Sequence, residues 1–290
     1  MLPKLVKEGF KGKVFCTPAT AEIAKIVLLD SAKIQQEDAE YKKKRHKRGN
    51  YTPPRPVEPL YNIEDAEACM SMFTSVEYQA SVQVADNVEA AFYEAGHIFG
   101  SSIIKMTVRL NGESRTIVFT GDLGRIGKPI LKDPAIIEEA DYLFVESTYG
   151  DRIHHSVEDT KEQLCEAVNK TYADGGNIIV PSFSIERAQE VMYYMNELLM
   201  EDRVPNIMTF LDSPMAVRVT EVFKKHPELY DAEMRALMSQ NESPFTYQGL
   251  KLVQSTRESK SINHIKGTIM VIAGSGMCTG GRVKHHLFNN

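Results

Sequence analysis

The chain has 290 residues, 42% of them hydrophobic, enough for a proper core and for one large or two ordinary domains. A formal net charge of -5 excludes the overall basic excess of a protein that coats nucleic acid, while leaving room for a local basic cleft. Cys16, Cys69, Cys165 and Cys278 stand far apart, with no CxxC pair and no neighbouring His cluster; they read as buried, reduced thiols of an intracellular protein rather than a disulfide framework or zinc finger. Residues 1–7 are charged and lack the apolar centre of a signal peptide, and no apolar run reaches membrane-spanning length, so the expectation is a soluble cytoplasmic protein without a membrane partner.

In chain order, residues 2–8 read as a short helix closed by Gly9, so the chain opens in mid-helix, and 13–16 as a strand. Thr17 and Pro18 then give an N-cap with proline at N1 for a long helix through Ile23, Ile26, Val27 and Ile34. That helix fades into the basic run 42–48, read as a solvated helix end whose cations suit the dipole in preference to a phosphate-binding arm, and then into a proline-rich loop at 52–59. Asn62 and Asp65 form a capping-box pattern for the next helix. The period then changes to two: 82–91, 103–110 and 115–119 read as strands, with Asn111-Gly112 as a hairpin turn. Residues 142–145 are continuously apolar, which predicts a strand buried on both faces. Beyond 151 strand and helix alternate, which predicts a parallel sheet: helices at 156–174, 185–200, 215–225, 231–239 and 283–287, strands at 177–180, 207–211, 250–253 and 268–273. The expected division is therefore 1–150 and 151–290.

Three residues capable of metal or proton chemistry each close an apolar strand-like run. His97 follows Glu-Ala-Gly, Asp122 lies in Thr-Gly-Asp-Leu-Gly-Arg, and Glu146 begins Glu-Ser-Thr-Tyr-Gly-Asp. A lone histidine is usually structural, but a carboxylate between glycines can bridge two cations, which makes His97 and Asp122 candidate metal ligands. The alternative for Asp122 is a turn residue bonding its own backbone. Glu146 cannot be buried alone at low cost; it is either an acid that orients a histidine or the partner of Arg152 or Arg125. Later segments also end strands: Pro-Ser-Phe-Ser-Ile-Glu-Arg-Ala-Gln with Ser184 and Arg187, Leu-Asp-Ser-Pro-Met-Ala with Ser213, and Gly-Ser-Gly-Met-Cys-Thr-Gly-Gly-Arg with Ser275, Gly276, Met277, Gly280, Gly281 and Arg282. Open α/β sheets bind ligands at such carboxyl ends, and Ser184 suits an anion-facing helix cap. The glycine-rich segment is neither GxGxxG nor a Walker sequence. His285-His286 diverge on a helix and His154-His155 reads as a loop ahead of Ser156, so neither pair is a metal site; one of His285 and His286 is a candidate phosphate contact beside Arg282.

Together these motifs resemble the β-CASP branch of the metallo-β-lactamase fold, which includes RNA-processing nucleases. The resemblance runs from residues 2–10 to 285–287. It implies an α/β architecture: a partial metallo-β-lactamase αββα core followed by a β-CASP domain whose mostly parallel sheet is flanked by helices. It further implies two zinc ions in the complete site, with His97 a ligand, Asp122 the carboxylate that bridges them, and Glu146 the catalytic support of a histidine acid. Ser184, Arg187, Ser213, Ser275, Gly276, Met277, Gly280, Gly281 and Arg282 fall in substrate-binding segments, with RNA as the partner and a homodimer as a possible assembly. The family's HxHxDH motif and its two later β-CASP histidines are absent, so the chain reads as an internal fragment, expected to bind zinc weakly and to cleave RNA poorly or not at all. Competing readings are a DNA-processing relative and a non-catalytic scaffold; the retained His97, Asp122 and Glu146 argue against the scaffold.

Overall fold

Alternating chemistry, capping residues and glycine turns set the elements in the computed structural model, which describes residues 1–154 and 156–290; His155 lies outside the described residues. By compactness the chain divides into Met1–Ala80 and Ser81–Asn290.

In the first unit α1 (Leu2–Lys7) gives way to Gly9 at φ +105°, and β1 (Val14–Cys16) leads into α2 (Pro18–Arg48). The Thr17 hydroxyl oxygen accepts from the Thr20 amide at 3.3 Å, and Pro18 loses nothing at a position whose N–H would have no helical partner. The helix runs on through the basic run, which is exposed apart from half-buried His46, as the solvated-end reading expects. A reciprocal capping box starts α3 (Ile63–Cys69): Asn62 Oδ1 takes the Asp65 amide at 2.8 Å and Asp65 Oδ2 takes the Asn62 amide at 3.0 Å. Small Ala32 and Ala66 pack with Tyr61, and Leu28, Leu29 and Ile63 cover them. β2 (Phe73–Ser75) pairs in parallel with β1.

The second unit opens with a five-stranded sheet in the order β3-β4-β5-β6-β7, where β3 is Ser81–Ala85, β4 Val88–Glu94, β5 Ser102–Leu110, β6 Glu113–Phe119 and β7 Tyr142–Phe144. The single strand expected over 82–91 is two strands of a hairpin, β3 and β4. They are joined at Asp86-Asn87, where Asn87 takes φ +59°, as asparagine tolerates in a turn. Asn111 and Gly112 both have positive φ, the geometry a two-residue hairpin loop requires. β7 corrects another expectation. It is apolar but not doubly buried: among the described residues it is an edge strand, with Tyr142, Leu143 and Phe144 each more than half exposed.

The chain continues through α4 (Val157–Asp174), capped by Ser156 with Asp159 and stopped at Gly175 in the left-handed region. It then builds a wholly parallel sheet, order β10-β9-β11-β8, from β8 (Ile178–Pro181), β9 (Met208–Asp212), β10 (Leu250–Leu252) and β11 (Ile269–Ala273). All five residues of β11 are buried, as expected of a central parallel strand covered on both faces. The flanking helices are α5 (Arg187–Met200), α6 (Pro214–Lys225), α7 (Ala232–Ser239), α8 (Thr256–Ile262) and α9 (Val283–Asn289). Ile262 of α8 and Val283 of α9 close over Phe210, Val253, Ile269, Val271 and Ala273. The architecture is thus α/β, an antiparallel-based sheet followed by a parallel sheet flanked by helices. Phe99 joins the two, its ring stacked on Phe223 with centroids 4.0 Å apart.

Candidate active site

β4 and β6 are both antiparallel to β5, and β7 is parallel to β6, so β4, β6 and β7 all run the same way. Their carboxyl ends meet one edge of the sheet, and His97, Asp122 and Glu146 leave from there. His97 Nε2 lies 3.7 Å from Asp122 Oδ2, with both side chains substantially exposed. The His97 loop is tied down by Ser101, whose hydroxyl oxygen accepts from the amides of His97 and Ile98 at 3.2 Å each. Gly124 brings the two loops together: its amide donates to the Ala95 carbonyl at 2.8 Å, and a Cβ there would lie 1.7 Å from the Gly96 carbonyl oxygen. Only glycine permits that backbone approach.

Glu146 is fixed from the Asp122 loop as well as its own. Its carboxylate accepts from the Thr148 amide at 3.0 Å and the Leu123 amide at 3.2 Å. Those two amides first, then the Thr148 side chain and the positive potential of His97, hold its pKa below the usual carboxylate range. Arg152, one of the partners considered for Glu146, pairs with Asp151 at 3.1 Å. His97 and Asp122 are donors of the kind zinc takes, but two donors do not complete its four-coordinate sphere. Among the described residues no group of three or more His, Cys, Asp or Glu could hold a metal ion.

At the carboxyl ends of the parallel strands the placement is different. Ser184 is buried and does not cap α5; its hydroxyl sits 3.0 Å from that of Ser213, which caps α6 by accepting from the Ala216 amide at 3.2 Å. Arg187 is more than half exposed and pairs with Glu190 at 2.7 Å. In the glycine-rich segment Gly281, at φ +71°, packs so tightly that a Cβ would stand 2.4 Å from the Gly274 carbonyl oxygen, Gly276 lies against the Phe183 ring, and Gly280 faces open space. Ser275 and Thr279 bring their hydroxyls to 3.5 Å, and Met277 and Phe183 are exposed.

Sequence reasoning passed over the residue that organises this end. Asp212 is fully buried and accepts from Arg282 Nη1, Ser259 Oγ and His286 Nε2, each at 2.6 Å. Burial alone would raise its pKa; the bonds from His286, Ser259 and Arg282 outweigh that and hold it low. The signal was present, since Asp212 closes an apolar strand just as Glu146 does. Arg282 is therefore committed to Asp212 and, through Nη2, to the Gln254 carbonyl at 2.8 Å. Of the histidine pair, His286 is buried on Asp212 and His285 is exposed. A depression of about 690 Å³ opens beside Arg282, with Lys260, His264 and His285 among its lining.

Residues 188–290 of the chain match the profile of the Beta-Casp domain. Among curated proteins it is 35% identical over 286 residues to Ribonuclease TTHA0252 of Thermus thermophilus, covering 99% of this chain and 60% of that protein. It is 27% identical to the Transcription termination factor FttA of Methanosarcina mazei, over 99% of this chain and 42% of that protein. With an RNase J-like protein of Methanocaldococcus jannaschii it shares 25% identity, over 95% of this chain and 58% of that protein. The family resemblance read from the motifs therefore holds along the whole chain, and the chain spans about half the length of these relatives.

Proposed function

We propose that the chain carries part of the active site of a zinc-dependent phosphodiesterase that cleaves RNA. One observation carries the reading: His97 and Asp122 stand 3.7 Å apart at a common sheet edge, with Glu146 held charged beside them by backbone amides. His97 and Asp122 would hold zinc, with further ligands supplied by chain beyond these 290 residues; zinc bound there supplies Lewis-acid polarisation of a phosphoryl oxygen. Glu146 would act as the ionised partner that orients a histidine proton donor. Exposed Phe183 and Met277 offer apolar faces to unstacked bases, Arg187 and Lys260 offer cations to the phosphate backbone, and His285 offers a ring N–H. In this reading residues 1–150 are the metallo-β-lactamase part and 151–290 the β-CASP part; the change from the β3-β7 sheet to the parallel sheet between 144 and 178 supports it. The ribonuclease name of a relative at 35% identity favours RNA over DNA.

The test uses the full-length protein with an RNA and a DNA of matched sequence. Cleavage of RNA that a zinc chelator abolishes, and that falls at least about 100-fold in Asp122→Asn, is the expected outcome. Cleavage of DNA alone, or cleavage indifferent to both chelator and substitution, overturns the reading.

A further inference from the structure

The segment after Asp122 carries a lysine that the site as described leaves without a role. Lys128 is largely buried; its ammonium donates to the carbonyl of His97 at 3.0 Å and lies 3.5 Å from Glu186 Oε1. The backbone around it is anchored. The Gly127 amide donates to Asp133 at 2.7 Å, Pro129 and Ile130 are buried, and the Ile130 carbonyl accepts from the Asp231 amide at 3.0 Å next to the bridge between Leu131 and Tyr230. Ile130 has φ +77°, which a β-branched residue adopts only when its surroundings impose it.

Glu186 is equally costly to maintain. With φ +69° and ψ -59°, and with the Arg187 amide donating to the Ile185 carbonyl at 2.9 Å, it is the central residue of the rare positive-φ γ-turn at the start of α5. Its side chain is 4% exposed, and neither carboxylate oxygen has a hydrogen bond of normal geometry. Glu190, one turn on, adds a like charge. A strained, desolvated acid persists only where something compensates it, and Lys128 is the countercharge within reach.

We propose that Lys128 is a positioning residue for His97: anchored on the buried Glu186, its ammonium fixes the loop that presents the imidazole at the sheet edge. The chemistry suits the task. A lysine ammonium has three donors on one nitrogen, so one group serves the carbonyl and the carboxylate together. The Ser101 hydroxyl holds the amides of the loop and Lys128 holds the carbonyl, so the loop is gripped on both sides of the His97 peptide plane. The inference rests on the zinc-ligand reading of His97.

The experiment compares full-length wild type with Lys128→Met, Lys128→Arg and the double variant Lys128→Met/Glu186→Gln. It measures amide hydrogen exchange over 95–101 in metal-free protein, zinc affinity by chelator competition, and kcat and KM on RNA, all at a temperature where each variant is folded. Lys128→Met should speed exchange over 95–101, weaken zinc about 10-fold or more, and lower kcat while KM stays within about twofold. Lys128→Arg should restore only part, because a planar fork cannot put one nitrogen between both acceptors. Should Lys128→Met alone leave the buried acid unpaired and fail to fold, the double variant removes that charge and must show the same exchange and zinc losses. Unchanged exchange and unchanged zinc affinity in a folded variant overturn the proposal. If wild type itself neither binds zinc nor cleaves RNA, the functional reading fails, while the exchange measurement still decides whether Lys128 fixes the loop.

Discussion

Glu186 sets a pH dependence that can be read from one carboxyl. Burial first, then the neighbouring Glu190, outweigh Lys128 and push its pKa up to about 7 from 4.5. The folded state therefore binds the extra proton between those values, so this residue's contribution to stability is fully present below about pH 4.5 and is lost as pH rises through about 7. Relative to wild type, Glu186→Gln should gain stability between pH 5 and pH 8, by up to about 3 kcal/mol. Denaturant unfolding of both proteins at the two pH values checks the sign: parallel pH dependence would mean that Glu186 does not titrate in this range. Asp212 shows the opposite balance at similar burial, because three donors converge on it. The sequence did not separate these two acids. Asp212 closes the apolar strand β9 while Glu186 follows Ser-Phe-Ser-Ile, and only the folded partners decide which carboxyl stays charged.

Local chemistry made many elements legible, and the exceptions have physical causes. The Asn62-Asp65 box, the Thr17-Pro18 start and the Asn111-Gly112 turn each act within a few residues, and each stands where the pattern put it. Asn62→Ala should cost about 1 kcal/mol by freeing the Asp65 amide in the first turn of α3, read as a lower midpoint in urea; an unchanged midpoint would show that the cap does not limit stability. The Asp86-Asn87 turn was missed because β3 and β4 continue one alternation across it. β7 was misread because a short apolar run has the same pattern whether it is central or at an edge, and its neighbours along the sheet lie outside its own sequence. α8 went unread although Ser255 and Glu258 form a capping box, since its seven residues carry little apolar periodicity.

At the scale of the whole molecule, sheet topology turns three separated motifs into one place. His97, Asp122 and Glu146 could be named from the sequence because each closes an apolar run; their convergence follows from β4, β6 and β7 running the same way. The residues proposed to bind substrate were less legible. Ser184 turned inward to Ser213 and Arg282 to Asp212, contacts between strands far apart in the chain, whereas Arg187 and Met277 remain exposed. The most direct test of the account is metal analysis of the 290-residue chain after dialysis against zinc-free buffer. No tightly held zinc is expected, because His97 and Asp122 give two donors to an ion that takes four. A chain that retains two zinc ions and cleaves RNA would contradict it.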